Sequence, residues 1–473
     1  HIYKPLNKSK MIYNSFQSTI LKYVNSSLIL IVATILALVV ANSPLFGDYQ
    51  TLFAKPVSFS IGNFNFFSHG GHALPLSLFI SDFLMAIFFL SVGLEIKREI
   101  ICGELSSMKK ALLPVIGACG GMIVPVLVFY FFCPDNAAEM RGMAIPMATD
   151  IAFSLGVLSM FGDRVPNSLK VFLATLAVAD DLGGIIVIAL FYTSELNFLY
   201  LGMAALVVSL MFVGNMKRVR AKAFYLCLGL ALWYLLLNSG IHSTIAGVLT
   251  AFCIPCTLTR GTTYYVNEIR ENIALFPAYE SNWRNDNKPI VLTEDEVQIL
   301  RSIEVSSDHL ISPLQDLEDD LKAPINYGVI PLFAFASAGV CLREMSAADL
   351  FGGVGFAVLM GLVVGKVLGI FSFSWLAIKA KIVDMPKGTN WKAFASVCML
   401  GGIGFTVSMF IAELSYIPMG EAGAGYLNAA KLGILCGSLL SGVIAYIMLH
   451  IFLPKAVTPA GAPSKAMGKG AEE

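Results

Sequence analysis

The 473-residue chain is 56% hydrophobic and only 14% charged, and its 32 basic residues balance its 32 acidic ones. Soluble domains carry about 25% charged residues, so the composition excludes an ordinary soluble globular protein and implies one that crosses a membrane repeatedly. A balanced charge gives no reason to expect nucleic acid as a partner.

Residues 1–26 form an N-terminal segment in which Met11 reads as the native start, so residues 1–10 are set aside. The first apolar run, 28–40, continues into a span and shows no small-residue cleavage site of the kind a signal peptide carries. Measured against the roughly 20 residues that a bilayer core demands of a helix, the chain is predicted to be an all-α polytopic membrane protein with about twelve spans. They lie near 27–45, 77–101, 111–133, 138–160, 167–192, 198–214, 223–237 and 240–256, then 325–343, 350–379, 393–415 and 427–452. Residues 27–256 thus hold spans 1–8, 324–454 hold spans 9–12, and 455–473 form a polar tail.

Basic residues fall mainly after even-numbered spans: Lys97, Arg98, Lys109, Lys110, Arg164, Lys170, Lys217, Arg218, Arg220, Lys222, Lys379, Lys381, Lys387 and Lys392. Loops after odd-numbered spans offer Lys55, Arg141, Arg343 and Lys431. The positive-inside rule then places the even loops and both termini in the cytoplasm. Between spans 1 and 2, Val57, Phe59 and Ile61 alternate with Ser58 and Ser60 before Gly62-Asn63, a signal for an extracytoplasmic β-hairpin over 57–67. An irregular loop is the alternative.

Residues 257–323 are the one long polar segment between spans, expected as a cytoplasmic helical insertion. Thr293 and Glu296 have capping-box spacing, and Leu310, Leu314, Leu317 and Leu321 recur with helical period. The acidic run Asp316, Glu318, Asp319 and Asp320 is read as a solvated face. The nine cysteines lie mostly in apolar runs; Cys253-x-x-Cys256 has no second pair with metal-ligand spacing, so they read as small apolar fillers.

Chemistry concentrates in residues 147–192, where Asp150, Asp180 and Asp181 sit inside spans. A charged side chain at the centre of a membrane helix costs roughly 2.5–3.5 kcal/mol on insertion scales, so such residues are functional candidates. Hard cations such as Na⁺ or Li⁺ need oxygen ligands, which Thr149-Asp150 and Asp180-Asp181 supply. Adjacent helical residues point about 100° apart, so Asp180 and Asp181 face different partners. Lys366, within span 10, is the countercharge, expected on Asp180 or Asp150. A static salt bridge would explain one aspartate and leave the others without a role.

Pro146 in span 4 and Gly401, Gly402 and Gly404 in span 11 mark helix breaks at corresponding places in the two halves, the best sequence pointer to a transport site. Asp150 is placed to neutralise the N-terminal ends of the broken helices, and Lys366 the C-terminal ends.

In order along the chain, LEIKRE, ATDIAFSLG, LAVADDLGGI, SGIHSTIAG, PLFAFASAG, GK-x-LGI and GGIGFTVS resemble the NhaA-type sodium/proton antiporters over most of residues 27–452, the insertion excluded. The resemblance implies inverted repeats with spans 4 and 11 crossing as discontinuous helices; the outward 57–67 hairpin, by itself, points to a homodimer joined through it. It implies Asp181 as main cation ligand, Asp180 as partner of Lys366, and Asp150 and Thr149 at the crossing; Asp180 and Lys366 stay alternatives as proton carrier. Glu95, Arg98 and Glu99, at helical spacing on one face, become with Glu318 and His242 candidates for pH response; a surface ion-pair patch is the alternative, and for His242 a hydrogen-bonded core position. Val367 stands where the family has Pro after Gly-Lys, the insertion falls in the region tied to pH response, and the motifs do not reach the C-terminal tail.

The function expected is exchange of cytoplasmic Na⁺ or Li⁺ for external H⁺ across a bacterial inner membrane, electrogenic and pH-regulated, by competition of cation and proton for buried aspartates, with no cofactor and no enzymatic activity. A sodium-coupled organic-solute symporter is the alternative within transport. An intramembrane aspartyl protease is the alternative from another class, disfavoured because its Tyr-Asp and Gly-x-Gly-Asp contexts are missing around these aspartates.

Overall fold

The computed structural model describes residues 26–58, 60–61, 64–65, 68–69, 72–133, 136–192, 196–257, 261–276, 292–341 and 352–453. The ends of the chain, the Gly62-Asn63 turn and Arg343 lie outside these residues, as do the side chains of Lys109 and Lys110.

The chain begins with α1 (Ser26–Ala41) and α2 (Phe46–Ala54), bent 111° apart. Short strands follow: β1 (Pro56–Val57), β2 (Ser60–Ile61), β3 (Phe64–Asn65), β4 (Ser68–His69) and β5 (His72–Pro75). β2 pairs antiparallel with β3, Ile61 opposite Phe64, whereas Val57 of β1 pairs with Leu74 of β5. The strand region is therefore wider than a single 57–67 hairpin, and β5 is the middle strand of β1-β5-β4.

Helices α3 (Leu76–Ile101) and α4 (Met108–Phe132) come next, then the first interrupted pair, α5 (Ala137–Met147) and α6 (Ile151–Ser159), bent by 40°. α7 (Asn167–Phe191), α8 (Phe198–Met216), α9 (Lys222–Leu237) and α10 (Ile245–Cys253) follow. The polar segment contains α11 (Thr262–Leu275), α12 (Glu294–Leu310) and α13 (Pro313–Pro324), the last running through a π-helical turn into α14 (Ile330–Ser337). α15 (Gly353–Lys379), the second interrupted pair α16 (Trp391–Leu400) and α17 (Phe405–Tyr416), and α18 (Glu421–Phe452) complete the described chain.

Among the described residues six helices are long and apolar enough to cross a membrane, or nine if each bent pair counts as one span. The remaining expected spans correspond to α9, α10 and α14, each shorter than the roughly 20 residues of a full crossing. α15 has 56% of its most apolar window buried in protein and α8 only 17%, so α15 is central and α8 peripheral.

Glycine contact sets the position of α15. A Cβ on Gly120 of α4 would strike the carbonyl of Gly369, and one on Gly369 would strike the carbonyl of Gly120. The two backbones therefore touch, as small residues permit between membrane helices. One turn before Gly369 is Lys366, immediately after a π-helical turn at Gly361–Gly365. Such turns are rare and recur at functional sites. The helix continues through Val367 without interruption.

The polar segment forms a helical pair, with Tyr265 of α11 edge-on to His309 of α12 at 5.5 Å. The Thr293–Glu296 capping box opens α12. The leucine period does not describe one helix: Leu310 ends α12, and Ser312 caps α13, which opens on Pro313. Proline is suited to a first turn, where its missing N–H is not needed.

Candidate functional site

The two interruptions meet. Residues 148–150 are extended, which leaves the backbone groups at the ends of α5 and α6 without intrahelical partners. Residues 401–404 between α16 and α17 instead form a tight turn, with the N–H groups of Gly401, Gly402 and Ile403 bonded to the carbonyls three residues back. Each break satisfies the other: the Asp150 N–H donates to the Ile403 carbonyl at 2.7 Å, Ser154 Oγ donates to Leu400 O at 2.9 Å, and Ser408 Oγ donates to Ile145 O at 2.8 Å. The two serines, each four residues beyond its break, make equivalent bonds in opposite directions.

Asp150, 2% exposed, lies between the N-terminal ends of α6 and α17. Its Oδ1 accepts from the Phe153 N–H at 3.0 Å, and its Oδ2 accepts from the N–H and the hydroxyl of Thr406 at 3.1 and 2.6 Å. One carboxylate thus neutralises two helix N-termini, where the aligned peptide dipoles are positive. Thr406 did not stand out in the sequence because it carries no charge; its signal is its place in GGIGFTVS, two residues after Gly404.

Lys366 is fully buried, 2.7 Å from Asp180 Oδ2, and its ammonium also donates to the Met147 carbonyl at the end of α5. Thr149 Oγ1 lies 2.7 Å from the same Asp180 oxygen and 3.0 Å from Gly401 O. Between the two candidates from sequence, the lysine takes Asp180, leaving Asp150 to the helix N-termini.

Asp181 differs from both. It is 3% exposed, and neither carboxylate oxygen has a hydrogen-bond partner among the described residues; Asp180 Oδ1 shares this condition. A buried carboxylate without partners is expensive unless something else satisfies it. Asp181 lines a cavity of about 510 Å³ together with Thr149, Asp150, Thr406, Glu95, Arg98 and other residues, and the cavity reaches Lys322, half exposed at its mouth. The mouth is at the end of the molecule that bears Arg98. Among the described residues no group of three or more His, Cys, Asp or Glu side chains converges as a metal centre. The side-chain oxygens lining this cavity are those of carboxylates, hydroxyls and the Asn326 amide, the donor set of a hard cation.

The mouth carries an ion-pair network. Arg98 reaches Glu318 of α13 at 2.5 Å and Glu99 at 3.3 Å, Lys322 reaches Glu318 at 3.3 Å, and Glu95 lines the same cavity. The other oxygen of Glu99 accepts from the Glu104 N–H at 3.0 Å. A hydrogen bond to Asp319, aided by Glu318, holds the Lys322 ammonium above the usual lysine range against the opposing effect of partial burial.

Two sequence readings are corrected here, and His242 falls to its alternative reading, a hydrogen-bonded position within the protein. The acidic run is not simply a solvated face: Glu318 is 3% exposed, and Asp316 and Asp320 hold Lys222 between them at 2.5 and 2.6 Å. Lys97 and Lys431, counted as loop charges, are buried inside helices. Lys97 donates to the carbonyls of Phe252 and Ile254 at the end of α10, beside Cys253, and Lys431 pairs with Glu413 at 3.0 Å. His242 does not join the mouth network; its Nδ1 lies 2.8 Å from Thr244 Oγ1, and its Nε2 faces Asp82 at 3.6 Å. Apart from His242 with Thr244, these pairs join different elements, which no local pattern reveals.

The chain matches the family described as Na⁺/H⁺ antiporter 1 over residues 17–449. It is 51% identical to a Na⁺/H⁺ antiporter NhaA of Phocaeicola vulgatus over 441 residues, covering 93% of this chain and 96% of that protein. An NhaA antiporter of Bacteroides thetaiotaomicron is 51% identical over 432 residues (91% and 95%), and one of Helicobacter pylori 42% over 442 residues (93% and 96%).

Proposed function

The chain belongs to the Na⁺/H⁺ antiporter 1 family, and from that premise we propose that Asp181 is the group over which a proton and a sodium ion compete. The protein is a Na⁺/H⁺ antiporter of the bacterial inner membrane, not an organic-solute symporter. The observation that carries the assignment is the pair of unsatisfied, buried Asp181 oxygens lining the cavity that leads to Lys322.

A carboxylate that has lost its water must bind something, and a proton and a Na⁺ or Li⁺ ion each neutralise it. Binding one expels the other, and at low pH protons hold the site. Thr149 and the Asp150 region supply further oxygens to the cation, while Lys366 keeps the Asp180 charge balanced. A second proton, carried by Asp180 or by Lys366, makes the cycle electrogenic, so the membrane potential contributes about 2.3 kcal/mol per charge per 100 mV.

The ends of the interrupted pairs α5–α6 and α16–α17 are tied by reciprocal hydrogen bonds, which supports their reading as crossing discontinuous helices of an inverted repeat. On this reading α9, α10 and α14 complete twelve crossings. The end bearing Arg98 and both termini are cytoplasmic, as is the 257–323 insertion, and the β-strand region joins two copies at the outer face. Arg98, Glu95, Glu99 and Glu318 then regulate entry with pH at the cytoplasmic mouth.

Asp181→Asn in proteoliposomes is the test. Loss of Na⁺-dependent proton movement is expected, and exchange at the wild-type rate removes Asp181 from the site.

A further inference from the structure

A second cavity, of about 400 Å³, lies at the opposite end of the molecule from Arg98. Its polar lining comes from separate elements: Ser81 and Asp82 of α3, Tyr192 after α7, His242 and Ser243 before α10, and Glu413 of α17. Ser243 is 2% exposed, and its hydroxyl has no hydrogen-bond partner among the described residues. Leaving a buried hydroxyl unsatisfied is unfavourable, so its position in this lining indicates a polar occupant.

The charged groups around it have identified partners. Asp82 Oδ1 faces His242 Nε2 at 3.6 Å, and Lys431 of α18 reaches one oxygen of Glu413 at 3.0 Å. The Tyr49 hydroxyl turns away to the carbonyls of Phe335 and Ala336, and that of Tyr192 to the carbonyl of Arg141. With both carboxylates ionised and His242 neutral, two negative charges face one permanent ammonium, and that balance favours a single added positive charge. Carboxylate and hydroxyl oxygens suit a hard cation, and this set is small for a divalent ion that takes six to eight oxygens.

The wall between this cavity and that of Asp181 is thin. On α17, Val407 lines the first cavity and Phe410 the second, three residues or about 5 Å of helix apart. Phe89 of α3 packs on Phe410 at 5.7 Å, and the His242 ring meets Phe410 edge-on at 5.5 Å. A cation leaving Asp181 past this aromatic wall would arrive between Asp82 and Glu413.

We infer that the second cavity is a further monovalent-cation site on the outer side of the transport path, with Asp82, Glu413 and Ser243 as its oxygen ligands. The inference rests on Asp181 being the exchange site and adds a separate station beyond it.

The test uses proteoliposomes of fixed orientation, with Na⁺ supplied on one face at a time to wild type, Asp82→Asn and Ser243→Ala. The apparent KM for Na⁺ at the outer face should rise about tenfold in Asp82→Asn and less in Ser243→Ala, roughly the loss of one ligand each. The KM at the cytoplasmic face should stay within about twofold of wild type in both. Equal shifts at the two faces, or an unchanged outer KM in both variants, overturn the site. Ser243→Ala removes only an unsatisfied hydroxyl and keeps the experiment readable if Asp82→Asn folds poorly. Asp181→Asn, run in parallel, separates the two readings: activity in that variant refutes the exchange site, whereas the sided KM values judge only the outer one.

Discussion

Removing the Lys366 ammonium tests the structural side of the site most directly. Lys366→Met deletes the partner of Asp180 Oδ2 at 2.7 Å and leaves the Met147 carbonyl without its donor, both in fully buried surroundings. Breaking a buried ion pair from one side costs about 3–5 kcal/mol, because the charge left behind stays desolvated. Replacing both partners by neutral groups of similar volume is often near neutral. The double variant Asp180→Asn, Lys366→Met should therefore recover most of what Lys366→Met loses, giving a coupling energy of about 3 kcal/mol. Reversible unfolding in mixed micelles measures all four corners of the cycle. Lowering the pH should reduce the loss in Lys366→Met, since a proton can take the ammonium's place on Asp180. A Lys366→Met variant as stable as wild type, or a double variant no more stable than that single one, would refute the pairing as the source of stability. Exchange activity is a separate readout, expected to be lost in the double variant even where stability returns.

Thr406→Val removes the 2.6 Å hydroxyl bond to Asp150 and keeps the backbone N–H. A hydrogen bond to a charged group contributes about 1.5–3 kcal/mol, so unfolding should show a loss in that range, whereas Thr406→Ser should stay close to wild type. Ser408→Ala leaves the Ile145 carbonyl without its side-chain donor, whereas Ser154→Ala leaves Leu400 O its bond from the Ile403 N–H at 3.1 Å. The loss in Ser408→Ala should be the larger, about 1–3 kcal/mol, and the reverse order in equilibrium unfolding would argue against this account of the helix-end carbonyls. Gly369→Val forces a side chain into the Gly120 carbonyl. It should shift Lys366 and abolish exchange, which a transport assay on purified, correctly folded protein would show.

Much of this site was legible in the sequence because the relevant signals are local. Hydropathy marks the spans, Gly and Pro mark the interruptions, and a carboxylate inside an apolar run stands out whatever it touches. Neutral partners carry no such mark. Thr406, Ser154 and Ser408 look like ordinary small polar residues, yet they satisfy Asp150 and the broken helix ends. Charges near span ends also misled: Lys97 and Lys431 read as loop residues, and Glu318 as part of a solvated face. Their partners, Ile254, Glu413 and Arg98, come from other elements, with Arg98 and Glu318 lying 220 residues apart.

By itself the sequence determined that carboxylates and a lysine must be buried together between two interrupted helices, since desolvation makes isolated charges in apolar spans too costly. It left open whether Lys366 meets Asp180 or Asp150, because the three residues lie on different spans and no local pattern sets the distances between them. Tertiary packing made that choice. The backbone contact of Gly120 with Gly369 sets α15 against α4, Lys366 then reaches Asp180 and Met147, and Asp150 is taken up by the two helix N-termini. Asp181 is left facing the cavity with both oxygens unsatisfied, a result of how four separate segments meet.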